Sequence, residues 1–569
     1  MSATPEQTAA LTAPGELFEL AVETIDGHQV RNFVNREPSI GSLVNTAAGH
    51  GEREFLIQGE RRISYEQFAQ MVWAATAELE LRGLKRGDRI AILGYNSIDY
   101  VVTVMAAATL GAVGVALNGW WVTDELEYAL NDSGSRFLAC DTALWPRIAP
   151  CIEESTVDVV LQIGGGQAPD DLVPTSDWLS EAGAITGLTK PDFNVDERDP
   201  FVILYTSGTT GRPKGCITTH GGTITQVMGI LLHAYASSKR GGPSMLPKGG
   251  DQVTALLTSP LFHVAGVHTG VCTAMTTGAR VVFHEGKLEP EQVLSLIESE
   301  RVTSWSAVPT LMHRVVHSPA VSNYDLSSLK SIGFGGAPSS PEAAAKAREV
   351  LQVSPLLTNG YGMTETHGII TLNSGADFDE FPTSVGRPVA FFDAKLVDED
   401  GNEVAPGERG ELLISGPTIT PGYWNRPEAT AEALVDGWLR TGDIAYRDDE
   451  GRYFIVDRGK DVIIRGGENV YCGEIEGRLL EHPDVEEAAV FGVPHAELGE
   501  QVKAVVYAPD GVDVAALKQH VAETLARFKV PEIIEITPIP LPRNPAGKVI
   551  KSALKGAGTG VFDPELMEN

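Results

Sequence analysis

The sequence predicts an α/β protein, a large N-terminal portion followed by a smaller α+β unit. Three observations predict it. Apolar strand-like runs alternate with helical stretches through most of the chain, the pattern that builds a parallel sheet flanked by helices. The pattern changes near residue 391, to short strands around Asp-Gly and Gly turns, and again near residue 457, where a compact stretch of about 110 residues begins. The chain has 569 residues, 43% apolar and 21% charged, which is ordinary globular usage with room for about three to five structural units.

The elements follow in chain order. RIAIL, residues 89–93, comes after the turn Arg86-Gly87-Asp88 and reads as a short buried strand. Residues 100–109 read as a helix and 112–117 as the next strand, which completes one strand–helix–strand unit. The apolar run 101–117 contains Gly111 and Gly114 and is short for a membrane span, so a buried helix running into a strand is expected. FVILYT, residues 201–206, is another buried strand. Ile224, Val227, Met228, Leu231, Leu232 and Tyr235 share one helical face, as do Val293, Leu294 and Ile297 within 291–301. KLVDEDGNEV and GELLISG supply short strands. In the last unit Ile475, Leu479 and Leu480 mark a helix, 488–493 and 502–508 strands, Leu517, Val521 and Leu525 a second helix, and 533–539 a strand. The end, GAGTGVFDPELMEN, reads as a loose tail.

Charge and cysteine content exclude several function classes. Forty-four Lys and Arg stand against 76 Asp and Glu, a formal net of -32. Such a surface repels nucleic acid and anionic lipid, so any phosphate site has to be a local device of backbone N–H groups and a few placed cations. Cys140, Cys151, Cys216, Cys272 and Cys472 are few, odd in number and scattered, without a C-x-x-C pair. That argues against a disulfide frame or a structural zinc site and for a reducing compartment. No basic stretch followed by an apolar one opens the chain, so the expected location is the cytoplasm.

Four segments carry chemistry. TSGTTGRPKG, residues 206–215, follows the strand FVILYT and offers glycines, hydroxyls and Lys214, which together suit a polyphosphate. It is not the G-x-x-x-x-G-K-[ST] loop, because Gly208 and Gly211 are too close and Lys214 is followed by Gly215. NGYGMTE, residues 359–365, places a ring that can stack, a hydroxyl that can bond phosphate and a carboxylate that can hold Mg²⁺. LRTGD, residues 439–443, puts a carboxylate beside a Gly turn, where it can accept from ribose hydroxyls or simply cap the turn. PRNPAGK, residues 542–548, presents one lysine on a Pro/Gly loop; alone, that lysine reads as solvated.

Taken together and in this order, the segments resemble the adenylate-forming superfamily of acyl-CoA synthetases, non-ribosomal adenylation domains and firefly-type luciferases. DRGKDVIIRGGENVYCGEIE, residues 457–476, is similar to that superfamily's interdomain segment. The resemblance runs from about residue 35 to about 552. It implies an AMP-binding domain at 35–459 after an extension at 1–34, a mobile C-terminal domain at 460–555 with the catalytic lysine, and a tail at 556–569. It implies an acid–CoA ligase that uses ATP, Mg²⁺ and coenzyme A on a small-molecule carboxylic acid, with no nucleic acid, no membrane span and a homodimer as an option.

Residue roles follow from the same resemblance. Thr206, Ser207, Gly208, Thr209, Thr210, Gly211 and Lys214 would hold the β- and γ-phosphates. Gly335, Gly336, Ala337 and Tyr361, with Gly362 and Met363, would hold adenine; Thr364 would contact the α-phosphate and Glu365 the metal. Asp443 and Arg458 would grip the ribose, and Lys548 would bridge carboxylate and α-phosphate. Lys460 would be the hinge, and Arg465, Gly466 and Gly467 would close around the CoA thiol. Cys472 stands where relatives often carry proline. His263 would gate an acyl pocket walled by Val264, Gly266 and Gly368, although a lone His beside Phe262 also reads as a core residue.

No cation stands out among these wall residues, so an apolar acid, fatty, aromatic or alicyclic, is expected. Trp120 and Trp121 read as packing. The competing readings are a carrier-protein-loading adenylation enzyme, a fatty acyl-AMP ligase and a non-catalytic nucleotide-binding protein. Lys548, Glu365 and Lys214 speak against the last.

Overall fold

The structure is a computed structural model. It describes residues 5–167, 169, 172–179, 190–191, 193–206, 213–239, 251–286, 288–335, 341–351, 356–465, 468–495, 498–543 and 549–555. The C-terminal tail of the sequence reading lies outside them.

Two large sheets organise the N-terminal portion. The first has six strands in the spatial order Lys214–Thr219, Pro200–Thr206, Val113–Leu117, Arg89–Leu93, Phe137–Asp141 and Val159–Ile163. All its neighbours pair in parallel except Lys214–Thr219, which returns antiparallel to Pro200–Thr206. The second has nine strands and runs from Arg387–Pro388 through Gly368–Ser374, Leu356–Met363, Ser331–Gly335, Ser304–Ala307, Thr254–Leu257, Arg280–Phe283 and Glu54–Gln58 to Arg61–Ser64. It is parallel in the middle and antiparallel at both ends.

The helix Ile98–Leu110 is buried along its whole length. A helix apolar all round belongs inside a large core, which is how residues 101–117 become a helix and a strand. Ser97 starts it by accepting from the Tyr100 N–H at 3.1 Å, and Gly111 ends it at φ 80°. Glycine fits there because the left-handed region crowds a Cβ.

An antiparallel five-stranded sheet (Asp393–Val397, Gly410–Ser415, Leu434–Val435, Trp438–Arg447, Tyr453–Arg458) follows. The last unit has its own sheet and its own core, which includes Ile463, Ile475, Leu479, Val502 and Leu517. The expected strands and helices there are present as Cys472–Leu480, Glu487–His495, Gly499–Tyr507, Val514–Ala522 and Ile533–Thr537.

Three features depart from the sequence reading or add to it. Residues 18–33, within the stretch set apart as an extension, form a hairpin of Leu20–Ile25 and His28–Phe33. Asp26 and Gly27 sit at φ 50° and 85°, as a two-residue hairpin turn requires. Phe18 and Phe33 are buried in the main core, with the Phe33 ring 5.8 Å from that of Phe391. The strand Lys214–Thr219 was not foreseen. And Trp120 is not packed away: Trp121 is buried against Tyr205 at 5.8 Å, whereas Trp120 is 47% exposed. All five cysteines are buried and free, as the sequence implied. Among the described residues no helix is long and apolar enough to cross a membrane.

Phe391 joins the hairpin, the helix His220–Lys239 and the main core. Its ring lies where a Cβ on Gly229 would sit, 2.5 Å from the ring's Cε1 atom. Phe391→Ala is therefore expected to cost about 3–5 kcal/mol, read as a lower denaturation midpoint, while Phe391→Leu retains most of the stability. Equal, small losses in both variants would show that the ring is not a keystone.

Candidate active site

The segment 206–215 starts and ends on two paired antiparallel strands, Pro200–Thr206 and Lys214–Thr219. Thr206 and Lys214 are register partners, and the Thr206 hydroxyl donates to the Lys214 carbonyl at 3.3 Å. Both ends of the intervening loop are thus held by the sheet. The loop itself, with Ser207, Gly208, Thr209, Thr210 and Gly211, lies outside the described residues. So do Gly336, Ala337, Gly466, Gly467, Lys548 and the side chain of Lys460.

The second segment makes a tight reversal. Strand Leu356–Met363 leads into the 3₁₀ turn Thr364–Thr366 and back through Gly368–Ser374. A Cβ on Gly362 would fall 1.8 Å from the Gly368 carbonyl oxygen, so only glycine allows the two strands to close here. Glu365 is buried by this reversal, 8% exposed. His367 follows at φ 59° and is fully buried. Its Nδ1–H donates to the Thr418 carbonyl and its Nε2 accepts the Thr219 N–H, both at 2.7 Å. Burial pushes its pKa down to about 3, which keeps the ring in the neutral form that these two bonds need.

A stretch without motif character, residues 418–424, joins these parts. The Thr420 N–H donates to the Glu365 carbonyl at 2.8 Å, and the Thr420 hydroxyl to the Ile217 carbonyl at 2.7 Å. Ile217 and Trp424 donate N–H groups to the carbonyls of Gly422 and Gly215, so the stretch lies along the hairpin as an added strand. Tyr423 is placed between two candidate groups. Its hydroxyl donates to Glu365 Oε1 at 2.8 Å, and Lys214 Nζ lies 5.2 Å from its ring centroid. Burial and the adjacent Glu365 raise the Tyr423 pKa, so the phenol stays protonated and donating.

Tyr361 and Asp443 meet across two sheets. The Tyr361 hydroxyl donates to Asp443 Oδ2 at 2.5 Å, and Arg458 Nε lies 3.4 Å from Asp443 Oδ1. Asp443 and Arg458 are register partners in neighbouring strands, and the Asp443 N–H is held by Thr441 Oγ1 at 3.1 Å. Burial, then the charge of Asp443, lifts the Tyr361 pKa well above the usual phenol value. The structure therefore brings Tyr361, Asp443 and Arg458 together, and separately Lys214, Tyr423 and Glu365. Both groups hang from the 356–374 reversal.

The expected acyl wall converges beside it. Residues Ala265–Cys272 form a π-helix, a geometry that recurs at functional sites. His263 is half-buried just before it, its ring 4.8 Å from that of Phe262. Val264 is likewise half-buried, and a Cβ on Gly266 would sit 2.3 Å from the Pro260 carbonyl oxygen. A Cβ on Gly368, which sits at φ 136°, would lie 3.0 Å from Thr269 of the π-helix and 3.4 Å from Gln226 of the helix His220–Lys239. Gly335 ends its strand opposite Gly360.

In the C-terminal unit Arg465 is ion-paired with Glu532. It opens onto a groove of about 920 Å³ that is lined also by Lys518, Arg527 and Phe528. The lysine-bearing loop is pinned at its base, where Arg543 bridges to Val549. Arg543 is also ion-paired with Glu487 of the same unit, at 3.2 Å.

The sequence reading missed His367, Thr420 and Tyr423. His367 adjoins the YGMTE motif, so proximity was an available signal. Thr420 and Tyr423 act through backbone carbonyls and a distant carboxylate, which leave no spacing to read. One carboxylate suits Mg²⁺, which is commonly bound by one or two carboxylates plus substrate phosphates. Glu365 fits that use: Tyr423 occupies Oε1, and Oε2 takes no hydrogen bond from the described residues.

Comparison with known proteins agrees with this architecture. The AMP-binding enzyme family matches residues 43–424, and the family of AMP-binding enzyme C-terminal domains matches residues 474–548. A feruloyl-CoA synthase from Amycolatopsis is 36% identical over 502 residues, 87% of this chain and 94% of that protein. The long-chain-fatty-acid–CoA ligase FadD13 of Mycobacterium tuberculosis is 34% identical over 505 residues, 87% of this chain and 93% of that protein. Among solved structures, O-succinylbenzoate coenzyme A synthetase from Bacillus subtilis, in complex with ATP and magnesium ion, superposes with a TM-score of 0.75 at 28% identity. It covers 92% of this chain and 100% of that one.

The buried histidines give a pH prediction. His220 and His367 titrate near 3, and His233 and His313 near 4, all lowered mainly by burial. The unfolded chain takes up these protons near pH 6.5. Between about pH 6.5 and 4 the unfolded state therefore binds more protons, and stability falls as pH drops. His367→Asn, which tolerates the positive φ, is expected to be less stable at pH 8 but to lose less on acidification, read as urea midpoints. An unchanged slope would remove His367 from this account.

Proposed function

The chain belongs to the family of AMP-binding enzymes, and on that premise we propose that it is an ATP-dependent acid–CoA ligase for an apolar carboxylic acid. The observation that carries the reading is the convergence of Lys214, Tyr423 and Glu365 with Tyr361, Asp443 and Arg458 around one strand reversal. Relatives named for feruloyl and long-chain fatty acids favour an acid without a second charge, in keeping with a wall of Val264, Gly266 and Gly368.

The chemistry follows from what a carboxylate lacks. Its own leaving group would be oxide, so a thiol cannot displace it. In the proposed first step a carboxylate oxygen attacks the α-phosphorus of ATP in line, and pyrophosphate leaves. Negative charge builds on the phosphate oxygens, and preorganised cations and donors stabilise it. In the second step the CoA thiol attacks the acyl carbon, loses its proton, and AMP leaves with the original carboxylate oxygen.

Each residue then has an assigned task. Thr206 and Lys214 frame the β- and γ-phosphates, and Thr364 meets the α-phosphate. Asp443, its carboxylate fixed by Tyr361 and Arg458, accepts from the ribose hydroxyls. Tyr423 holds the Glu365 carboxylate for Mg²⁺, which when bound neutralises phosphate charge. Lys548 contributes its ammonium in the first step only, Lys460 is the hinge between domains at 35–459 and 460–555, and Arg465 serves the thiol step.

The reading is tested by mass spectrometry of products from a panel of carboxylic acids with Mg-ATP, with and without CoA. Acyl-CoA and AMP from some apolar acids are expected. A persisting acyl-adenylate that CoA does not consume would instead indicate a carrier-loading enzyme or an AMP ligase, and no acid-dependent turnover would overturn the reading. Lys548→Ala should lose acid-dependent pyrophosphate release by at least about a hundredfold yet still convert supplied acyl-adenylate to thioester. Tyr423→Phe should lower adenylation about tenfold and raise the Mg²⁺ concentration needed for half-maximal rate. An unchanged Mg²⁺ requirement would contradict its role.

A further inference from the structure

The second sheet carries hydroxyl groups where a packed sheet would carry apolar side chains. Its central strands pair in parallel, and such strands are normally covered on both faces. On one face they follow this rule: Leu256, Trp305, Ile332, Phe334 and Leu357 are buried in a single core. The opposite face differs. Leu257, Ser306, Gly333 and Thr358 are successive register partners across four neighbouring strands. Ser306 is exposed although it stands on the fifth of nine strands. A cleft therefore reaches the middle of the sheet.

The cleft adjoins the expected acyl wall. A Cβ on Gly270 of the π-helix would sit 2.8 Å from Leu257 Cδ1, so the π-helix packs on one end of the row. One residue earlier, Thr269 is the nearest neighbour of Gly368. The π-helix thus joins the row to the wall glycine, and Ala265 at its start is exposed.

The floor of the cleft is shaped by a missing side chain. A Cβ on Gly333 would lie 2.2 Å from Ser306 Oγ and 3.3 Å from Thr358 Oγ1. Only glycine lets both hydroxyls converge over this point. The Ser306 carbonyl accepts the Thr258 hydroxyl at 3.2 Å, but the Ser306 hydroxyl has no hydrogen-bond partner among the described residues. The Thr358 hydroxyl reaches the Ile332 carbonyl only at 3.4 Å, which is long for a hydrogen bond. Beside Gly368, Gln226 is 1% exposed; its Nε2 donates to the Ile369 carbonyl at 3.0 Å, and its Oε1 is left unpartnered.

These groups narrow the acid that fits. A frame that is hydrocarbon throughout would strip water from Ser306 and Thr358 and give nothing back. A second charge would find no counter-charge on the row. A hydroxyl meets both demands, since it accepts from one side chain and donates to the other.

We propose that the acid carries a hydroxyl on its otherwise apolar frame, away from the carboxylate, and that Ser306, with Thr358, selects it. The proposal rests on the acid–CoA ligase reading.

Acyl-CoA formation by the full chain tests it, with matched pairs of acids. Each pair sets an aromatic or alicyclic acid hydroxylated at one ring position against its unsubstituted parent. For at least one position the hydroxy acid is expected to have a kcat/KM about tenfold above its parent. Ser306→Ala should lower kcat/KM for that hydroxy acid about tenfold and leave the parent unchanged. Thr358→Val should lower it severalfold in the same selective way. The KM for ATP should stay constant in both variants. Parents used as well as their hydroxy derivatives at every position would overturn the proposal. Equal losses on both members of a pair in Ser306→Ala would overturn it too, since the side chain would then serve the fold. Failure of the underlying ligase reading looks different: wild-type protein would form no acyl-CoA from either member of any pair.

Discussion

Thr420 holds a turn and a strand at once, and the rest of the site depends on it. Its backbone N–H fixes the turn that carries Glu365, and its hydroxyl fixes the strand Lys214–Thr219. Thr420 is 2% exposed, so neither bond competes with water. His367 repeats the device close by in each segment, joining Thr418 to Thr219 through one neutral ring. Motifs about 150 residues apart in sequence thereby become one surface. The cost of ordering them is met once, on folding, and not at each catalytic turn.

Two couplings grow out of this frame. Tyr423 ties the carboxylate of Glu365 to the cation of Lys214, so the two charges that would face a polyphosphate are set relative to each other. Tyr361 ties its own ring to Asp443, so the ring proposed to stack on the base and the carboxylate proposed to accept from the ribose are set relative to each other. In both cases a buried phenol with a raised pKa does the positioning. Such a phenol remains a donor across the physiological range, which makes the geometry insensitive to pH.

Much of this was legible in the sequence, for physical reasons. RIAIL and FVILYT are continuous apolar runs, and only strands buried on both faces look like that. The motif glycines were legible because positions such as Gly362 exclude any side chain. The strand Lys214–Thr219 was not: KGCITT mixes glycine and hydroxyls, and its pairing comes from Pro200–Thr206 and residues 422–424 rather than from its own pattern. The hairpin at 20–33 carried a readable Asp26-Gly27 signal, which the alternation of its flanks was too polar to support. Trp120 could not be told from Trp121 by type alone; their exposure is set by which side of the loop each one faces.

The central claim is that the acid and ATP react directly to give an acyl-adenylate at this site. Carboxylic acid labelled with ¹⁸O in both carboxylate oxygens tests it most directly, in a complete reaction with Mg-ATP and CoA. The account predicts that AMP gains one ¹⁸O, because the attacking oxygen stays on the α-phosphorus when the thiol displaces it. Unlabelled AMP, or label in inorganic phosphate beside ADP, would contradict it.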